Sequence, residues 1–245
     1  APEISQMFGE MVGAWLVHAW RSLGRPDPFA LVEMGPGRGT LMRDILRTAR
    51  IDPPFLAAAQ IHLVETSERL RSAQAETLVP HDIKWHDELS SLPVLPMLFV
   101  ANELLDAVPV RQFEHTPDGW RERLVGLDAD GNLAFVPGLP VSDLSILPAG
   151  AGAAPEGAVF EYAPAREAIA ATLGERLHAH GGAALVIDYG HIRSGFADTL
   201  QALRSHRYVS IFEEPGSADL TSHVDFEAIA GAAESAGAKA FPAIT

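Results

Sequence analysis

Apolar residues recur at helical spacing from Glu3 to Leu23, where Ile4, Met7, Phe8, Met11, Trp15, Leu16 and Ala19 form one stripe. The spacing predicts a helix there, ended by Arg25-Pro26-Asp27-Pro28. Beyond it the pattern changes to short apolar runs. Phe29–Val32, Ile61–Val64, Ile83–His86, Pro96–Ala101 and Ala183–Ile187 read as strands. Pro96–Ala101 is apolar almost throughout, as expected in the middle of a parallel sheet. Helical patterns separate these runs. One follows the glycines after Met34 and extends to about Arg50, where Asp52-Pro53-Pro54 breaks it; another starts at Thr66-Ser67-Glu68. A third covers Ala163–His180 with Gly181-Gly182 after its end, and the last runs from Thr221–Phe226 to about Gly237, with Asp225 as a cap. Alternating strands and helices predict an α/β fold.

Between Val110 and Val136 the character shifts. Val110–Glu114, Trp120–Val125 and Leu133–Val136 read as antiparallel strands joined at Asp118-Gly119 and Asp130-Gly131-Asn132. Gly138–Gly157 is a Pro-, Ala- and Gly-rich loop. The reading is a single domain with an N-terminal helix over 3–24, a core over 28–109 and 158–245, and an inserted β and loop segment over 110–157 that forms a substrate lip. Thr199–Glu214 is read as irregular, its cluster of Arg204, His206, Arg207 and Tyr208 as a solvated loop, and Lys239–Thr245 as the start of a further strand.

The chain of 245 residues fits one large α/β domain. It starts at Ala1 and stops in an apolar run, which leads us to expect further segments on both sides. It has no run long enough to span a bilayer and no secretory signal. Cysteine is absent, which excludes disulfides and thiolate metal sites. A net charge of −14 argues against broad binding to nucleic acid or anionic membrane and suits a cationic partner, such as an arginine-bearing protein segment. The ten histidines show no metal-ligand spacing, and no metal is assigned.

The candidate chemistry centres on Glu33-Met34-Gly35-Pro36-Gly37-Arg38-Gly39-Thr40. A strand ends in a carboxylate, three glycines follow at alternate positions, and a helix begins. Glycines let a ligand approach the backbone, and free N–H groups at a helix start favour polar or negative groups. The dinucleotide fingerprint is G-x-G-x-x-G, but here the third-glycine position is Thr40. An acid at Glu33 would repel a pyrophosphate and suits an ammonium or sulfonium group, as in S-adenosylmethionine. An ordinary tight turn between strand and helix stays open as the alternative.

Glu65, with Thr66 and Ser67, ends the second strand, where an acid can grip a ribose diol or merely cap a helix; the sequence leaves both open. His86 and Asp87 end the third strand, in reach of an adenine or simply in a solvated loop. Asn102, Glu103 and Asp106 follow the central strand, over the crevice where open α/β sheets bind ligands. If Glu103–Asp106 is a helical turn, both carboxylates share a face.

With these stretches in view, the sequence resembles the MidA-like family of S-adenosylmethionine-dependent methyltransferases, which includes the mitochondrial complex I assembly factor that methylates an arginine. The resemblance rests on Ala1–Glu10, Glu33–Thr40, His62–Glu65, Ala101–Ala107, Val186–Gly190 and His223–Phe226. It implies a Rossmann-like class I methyltransferase sheet, mostly parallel, with helices on both faces. It implies cofactor contacts from the glycine loop (Glu33, Gly35, Pro36, Gly37, Gly39, Thr40) and Glu65, and a methyl acceptor bordered by Asn102, Glu103 and Asp106. The expected partner is an arginine-bearing protein subunit, and the expected location of a bacterial member is the cytoplasm. Two other classes stay open: a binding module that assists assembly without turnover, and a nicotinamide oxidoreductase, which Glu33 and Thr40 disfavour.

Overall fold

The computed structural model describes residues 5–205 and 207–244. Ala1–Ile4, His206 and Thr245 lie outside the described residues; they include the start of the first predicted helix, one member of the basic cluster and the end of the predicted last strand. The chain divides into two compact units. One takes in the chain up to Leu104, with Ala171–Ile187 and Ala233–Lys239; the other takes in Leu105–Ala170, Asp188–Ala232 and the residues from Ala240.

The first unit is built on a five-stranded parallel sheet. Helix α1 (Gln6–Ser22) precedes β1 (Phe29–Met34), α2 (Thr40–Ala49), a short α3 (Pro53–Ala58), β2 (Ala59–Val64), α4 (Glu68–Thr77), β3 (Ile83–His86) and β4 (Met97–Asn102). The sheet order is β3-β2-β1-β4, completed at the far edge by β9 (Gly182–Ile187). Strand alternation sends Phe29, Leu31, Leu63, Leu98 and Val100 to one face, where Leu16, Trp20, Met42, Ile45 and Phe55 from α1, α2 and α3 complete a dry core. Trp20, Phe29 and Phe55 meet edge-on, with ring centroids 5.0 and 5.6 Å apart about Phe55. The opposite face carries Ala30, Val32, His62, Val64, Met97, Phe99 and Ala101, also buried, so the strands read as continuous apolar runs. The Asp-Pro-Pro loop expected after α2 instead opens α3, because proline is well placed in the first turn of a helix.

The second unit carries a four-stranded antiparallel sheet ordered β7-β6-β5-β8, from β5 (Arg111–Thr116), β6 (Gly119–Leu127), β7 (Leu133–Pro140) and β8 (Val159–Tyr162). The predicted strands are present but longer, and β8 was not predicted: its four residues are too short for an alternation to show. Helix α5 (Pro164–His180) follows β8; β10 (Gly190–His191) pairs with β14 (Val224–Asp225), and α6 (Phe226–Ser235) follows, with Asp225 accepting the Ala228 N–H at 3.1 Å as the expected cap.

Two expectations are corrected. The stretch read as irregular contains β11 (Gln201–Arg204) and β12 (Arg207–Val209), which join β13 (Asp219–Thr221) in an antiparallel sheet. Arg204 forms exposed ion pairs with Glu213 and Glu214, and Arg207 and Tyr208 are exposed. The predicted strand after Lys239 is not formed among residues 239–244. Among the described residues no helix is long and apolar enough to cross a membrane.

Candidate active site

The first unit gathers the glycine loop and four of the expected acids, Glu33, Glu65, Asp87 and Glu103, at the carboxyl ends of its strands. Gly35, Gly37 and Gly39 all have left-handed φ, at 68°, 53° and 81°. A Cβ at Gly35 would stand 2.5 Å from Leu104 Cδ1, whereas one at Gly37 would meet nothing within 4 Å. The loop is therefore tight on its inner side and open at Gly37. Pro36 accepts the Gly39 N–H at 2.8 Å, and Thr40 begins α2.

Glu33 shares the face of Phe29 and Leu31, so alternation places it over the first turn of α2. It is 3% exposed. The Met42 N–H donates to it, yet Oε2 has no hydrogen-bond partner among the described residues. Burial pushes its carboxyl up to about 8, the Met42 N–H opposing the rise. A buried, half-satisfied carboxyl at a ligand loop is costly unless something cationic or proton-bearing answers it.

Glu65 is held at every polar group. Its carboxylate accepts from the Ser67 N–H at 2.8 Å and from Gln74 Nε2 at 3.3 Å; its carbonyl accepts from Arg71 at 2.7 Å, and its N–H donates to the His86 carbonyl at 2.9 Å. Ser67 Oγ caps α4 through Leu70, while Thr66 is exposed. Asp87 is exposed and paired with Arg71 at 2.7 Å. His86 is paired through both ring nitrogens, with His62 at 2.8 Å and Ser91 at 3.0 Å. Burial lowers the pKa of both histidines, His62 to about 4 with further help from the charges of His86 and Lys84.

The end of β4 is not the helical turn that would have aligned two acids. Glu103 has φ of 48°, a left-handed value uncommon outside glycine and incompatible with entry into a right-handed helix. Its N–H donates to the Ile187 carbonyl at 2.9 Å, which extends the β4–β9 ladder by one bond. Asn102 closes β4, and its Oδ1 is buried without a partner among the described residues. A strained acid and an unanswered amide oxygen at the end of a central strand mark a site, since such strain persists where surrounding structure enforces it.

Asp106 belongs to the second unit, on a turn closed by the Val108 N–H and the Leu105 carbonyl at 3.1 Å. Asp188 Oδ2 accepts the N–H groups of Leu105 at 2.8 Å and Asp106 at 3.2 Å. Burial raises the Asp188 carboxyl, opposed by these N–H groups and by the Arg166 charge. Arg166, buried on α5, donates to the carbonyls of Asp106, Val108 and His223 and to Ser222 Oγ. The backbone of the turn is thus fixed from two directions.

Gln74, Asp188 and Arg166 were missed as site residues. Gln74 left a signal: it interrupts the stripe Leu70-Gln74-Leu78 on α4, a polar residue where the pattern asks for an apolar one. Asp188 was visible only as a strand-end acid, and Arg166 had no signal in an alanine-rich helix.

Comparison with known proteins adds a lineage. A family model described as "Putative S-adenosyl-L-methionine-dependent methyltransferase" matches residues 11–244. The protein arginine methyltransferase NDUFAF7 of Xenopus tropicalis is 35% identical over 252 residues, covering 92% of this chain and 58% of its own length. The Mus musculus protein of that name is 37% identical, with 92% and 57% covered, and the Drosophila melanogaster homolog is 35% identical, with 97% and 60% covered. All three are named as mitochondrial. A Burkholderia thailandensis protein solved with S-adenosyl-homocysteine bound superposes with a TM-score of 0.77 at 30% identity, covering 96% of this chain and 62% of that one. The chain spans 57–60% of the length of these three curated relatives.

Proposed function

We propose that this chain, which belongs to the family of S-adenosylmethionine-dependent methyltransferases matched over residues 11–244, transfers a methyl group to an arginine side chain of a partner protein. One observation carries the cofactor half: the enclosed Glu33 carboxyl has an oxygen without a partner beside three left-handed glycines. That donor set fits a ligand with an ammonium group and a polar tail, and the open flank of Gly37 leaves it room.

Gly35, Pro36, Gly37, Gly39 and Thr40 bring bare backbone to the cofactor, and Glu33 answers its ammonium. Glu65, at the head of α4 with Thr66 and Ser67, faces the ribose diol; His86 and Asp87 flank the adenine side. When bound, S-adenosylmethionine supplies a methyl group on a cationic sulfur and departs as a neutral thioether. The residues around it therefore act by orientation more than by charge stabilisation, which in favourable cases is worth about 7–11 kcal/mol.

The acceptor half is supported by the names of the relatives, which are protein arginine methyltransferases. A guanidinium stays protonated in water, so a carboxylate that grips it localises its charge and leaves one nitrogen for displacement. Glu103 is the proposed grip, with Asn102 beside it; Asp106, three residues on, is the second proposed acid. A subunit of respiratory complex I is the proposed partner class, and a bacterial member is placed in the cytoplasm.

Glu103→Gln should abolish methyl transfer and leave the affinity for S-adenosylhomocysteine unchanged; unaltered turnover would remove Glu103 from the mechanism. Asp106→Asn, measured beside it, tests the second acid separately. Mass spectrometry of candidate subunits from cells with and without the gene should show one arginine whose methylation is lost, and an unmethylated acceptor in both would argue for a binding role without turnover.

A further inference from the structure

Gln74 is a buried amide with every hydrogen-bonding group assigned. It is 0% exposed. Trp85 Nε1 donates to its Oε1 at 2.8 Å, and its Nε2 donates to the Gly37 carbonyl at 2.7 Å and to Glu65 Oε2 at 3.3 Å. An indole N–H can only donate, and a carbonyl and a carboxylate can only accept. The three partners therefore fix the amide in one orientation.

An apolar side chain would fill this position on the Leu70-Gln74-Leu78 stripe with less desolvation cost. The amide joins two segments that both belong to the proposed cofactor site: the glycine loop at Gly37 and the ribose acid at Glu65. The two Glu65 oxygens are held by different donors, Oε1 by the Ser67 N–H and Oε2 by Gln74. Because the Gly37–Arg38 peptide is trans, the carbonyl aimed at Gln74 sends the Arg38 N–H the other way, off the helix side of the loop. Gly39 also lies close to this residue, since a Cβ added there would stand 3.5 Å from the Gln74 Cα.

We propose that Gln74 is a positioning residue that sets the Glu65 carboxylate against the glycine loop and thereby sets selectivity for an intact ribose diol. The inference rests on the cofactor reading above and adds to it the residue that fixes the spacing between two cofactor contacts. Gln74 acts through Glu65 and Gly37.

The test is calorimetric titration with S-adenosylhomocysteine and with its analogue lacking the ribose 2′-hydroxyl, using the whole chain. The wild-type chain should prefer the intact ligand by about 10-fold or more, and in Gln74→Met the preference should shrink to about 3-fold or less. A purely structural role would weaken both ligands alike and keep the ratio. An unchanged ratio in folded Gln74→Met overturns the proposal, as does a wild-type chain with no preference. If that variant does not fold, Trp85→Phe carries the test: it frees the Gln74 amide to turn, so the ratio should narrow, and a wild-type ratio overturns the proposal. Failure of the wild-type chain to bind S-adenosylhomocysteine at all would instead overturn the cofactor reading beneath it.

Discussion

Asp188 Oδ2 accepts the backbone N–H of Leu105 at 2.8 Å, a bond between residues 83 positions apart. The same oxygen takes the Asp106 N–H, while Oδ1 takes that of Tyr189 at 2.8 Å. The carboxylate holds the turn that carries a proposed acceptor acid by that turn's backbone N–H groups.

Asp188→Asn turns one acceptor oxygen into an NH2 group that faces N–H donors. Hydrogen bonds to charged groups contribute roughly 1.5–3 kcal/mol, so the melting midpoint should fall by roughly 3–12 °C. A thermal melt checks this. A midpoint equal to wild type would mean that the turn is held by Arg166 alone.

Glu33 gives a pH dependence of definite sign. Its folded carboxyl titrates at about 8, above the ordinary 4.5, so the folded chain holds a proton that the unfolded chain has lost between those values. Its contribution to stability is fully present below 4.5 and is lost as pH rises through 8. Glu33→Gln mimics the protonated group. The variant should match wild type near pH 5, exceed it at pH 9, and bind S-adenosylmethionine more weakly at both. Parallel melting curves across that range would contradict the enclosed carboxyl.

His62 acts in the opposite direction. Its folded value near 4 lies below the ordinary 6.5, so its contribution is present above 6.5 and lost as pH falls through 4. The buried ring cannot take a proton without facing His86 at 2.8 Å. Denaturant unfolding between pH 6.5 and 4 should show a steep loss in wild type. The slope should be shallower in His62→Leu, which keeps an apolar side chain on the sheet.

Two glycines of one loop should respond differently to alanine. Gly37→Ala meets no neighbour, so only the left-handed backbone resists it, at about 1–2 kcal/mol. It should fold and lose cofactor affinity. Gly35→Ala adds the same strain and drives a Cβ to 2.5 Å from Leu104 Cδ1, so it should lower the melting midpoint further and disturb β4 beyond its end. Equal melting points would show that Leu104 yields freely.

Much of this architecture was legible in the sequence because its information is local. The strand–glycine–helix unit around Gly35 follows from period and turn chemistry. So do the apolar run of β4, the helix start at Thr66-Ser67-Glu68 and the Asp225 cap, each readable within a few residues. The acids at the strand ends were also readable, because a carboxylate that interrupts an apolar run is conspicuous. The sequence could not show that Glu33 would be enclosed with an unanswered oxygen, or that Glu103 would take a left-handed backbone instead of starting a helix. Nor could it bring Gln74 to Gly37 and to Trp85. Local periodicity and turn chemistry decide which element a segment forms. Burial, and the choice of partner for a buried polar group, depend on segments that meet only after the sheet has assembled, and so they belong to the tertiary structure.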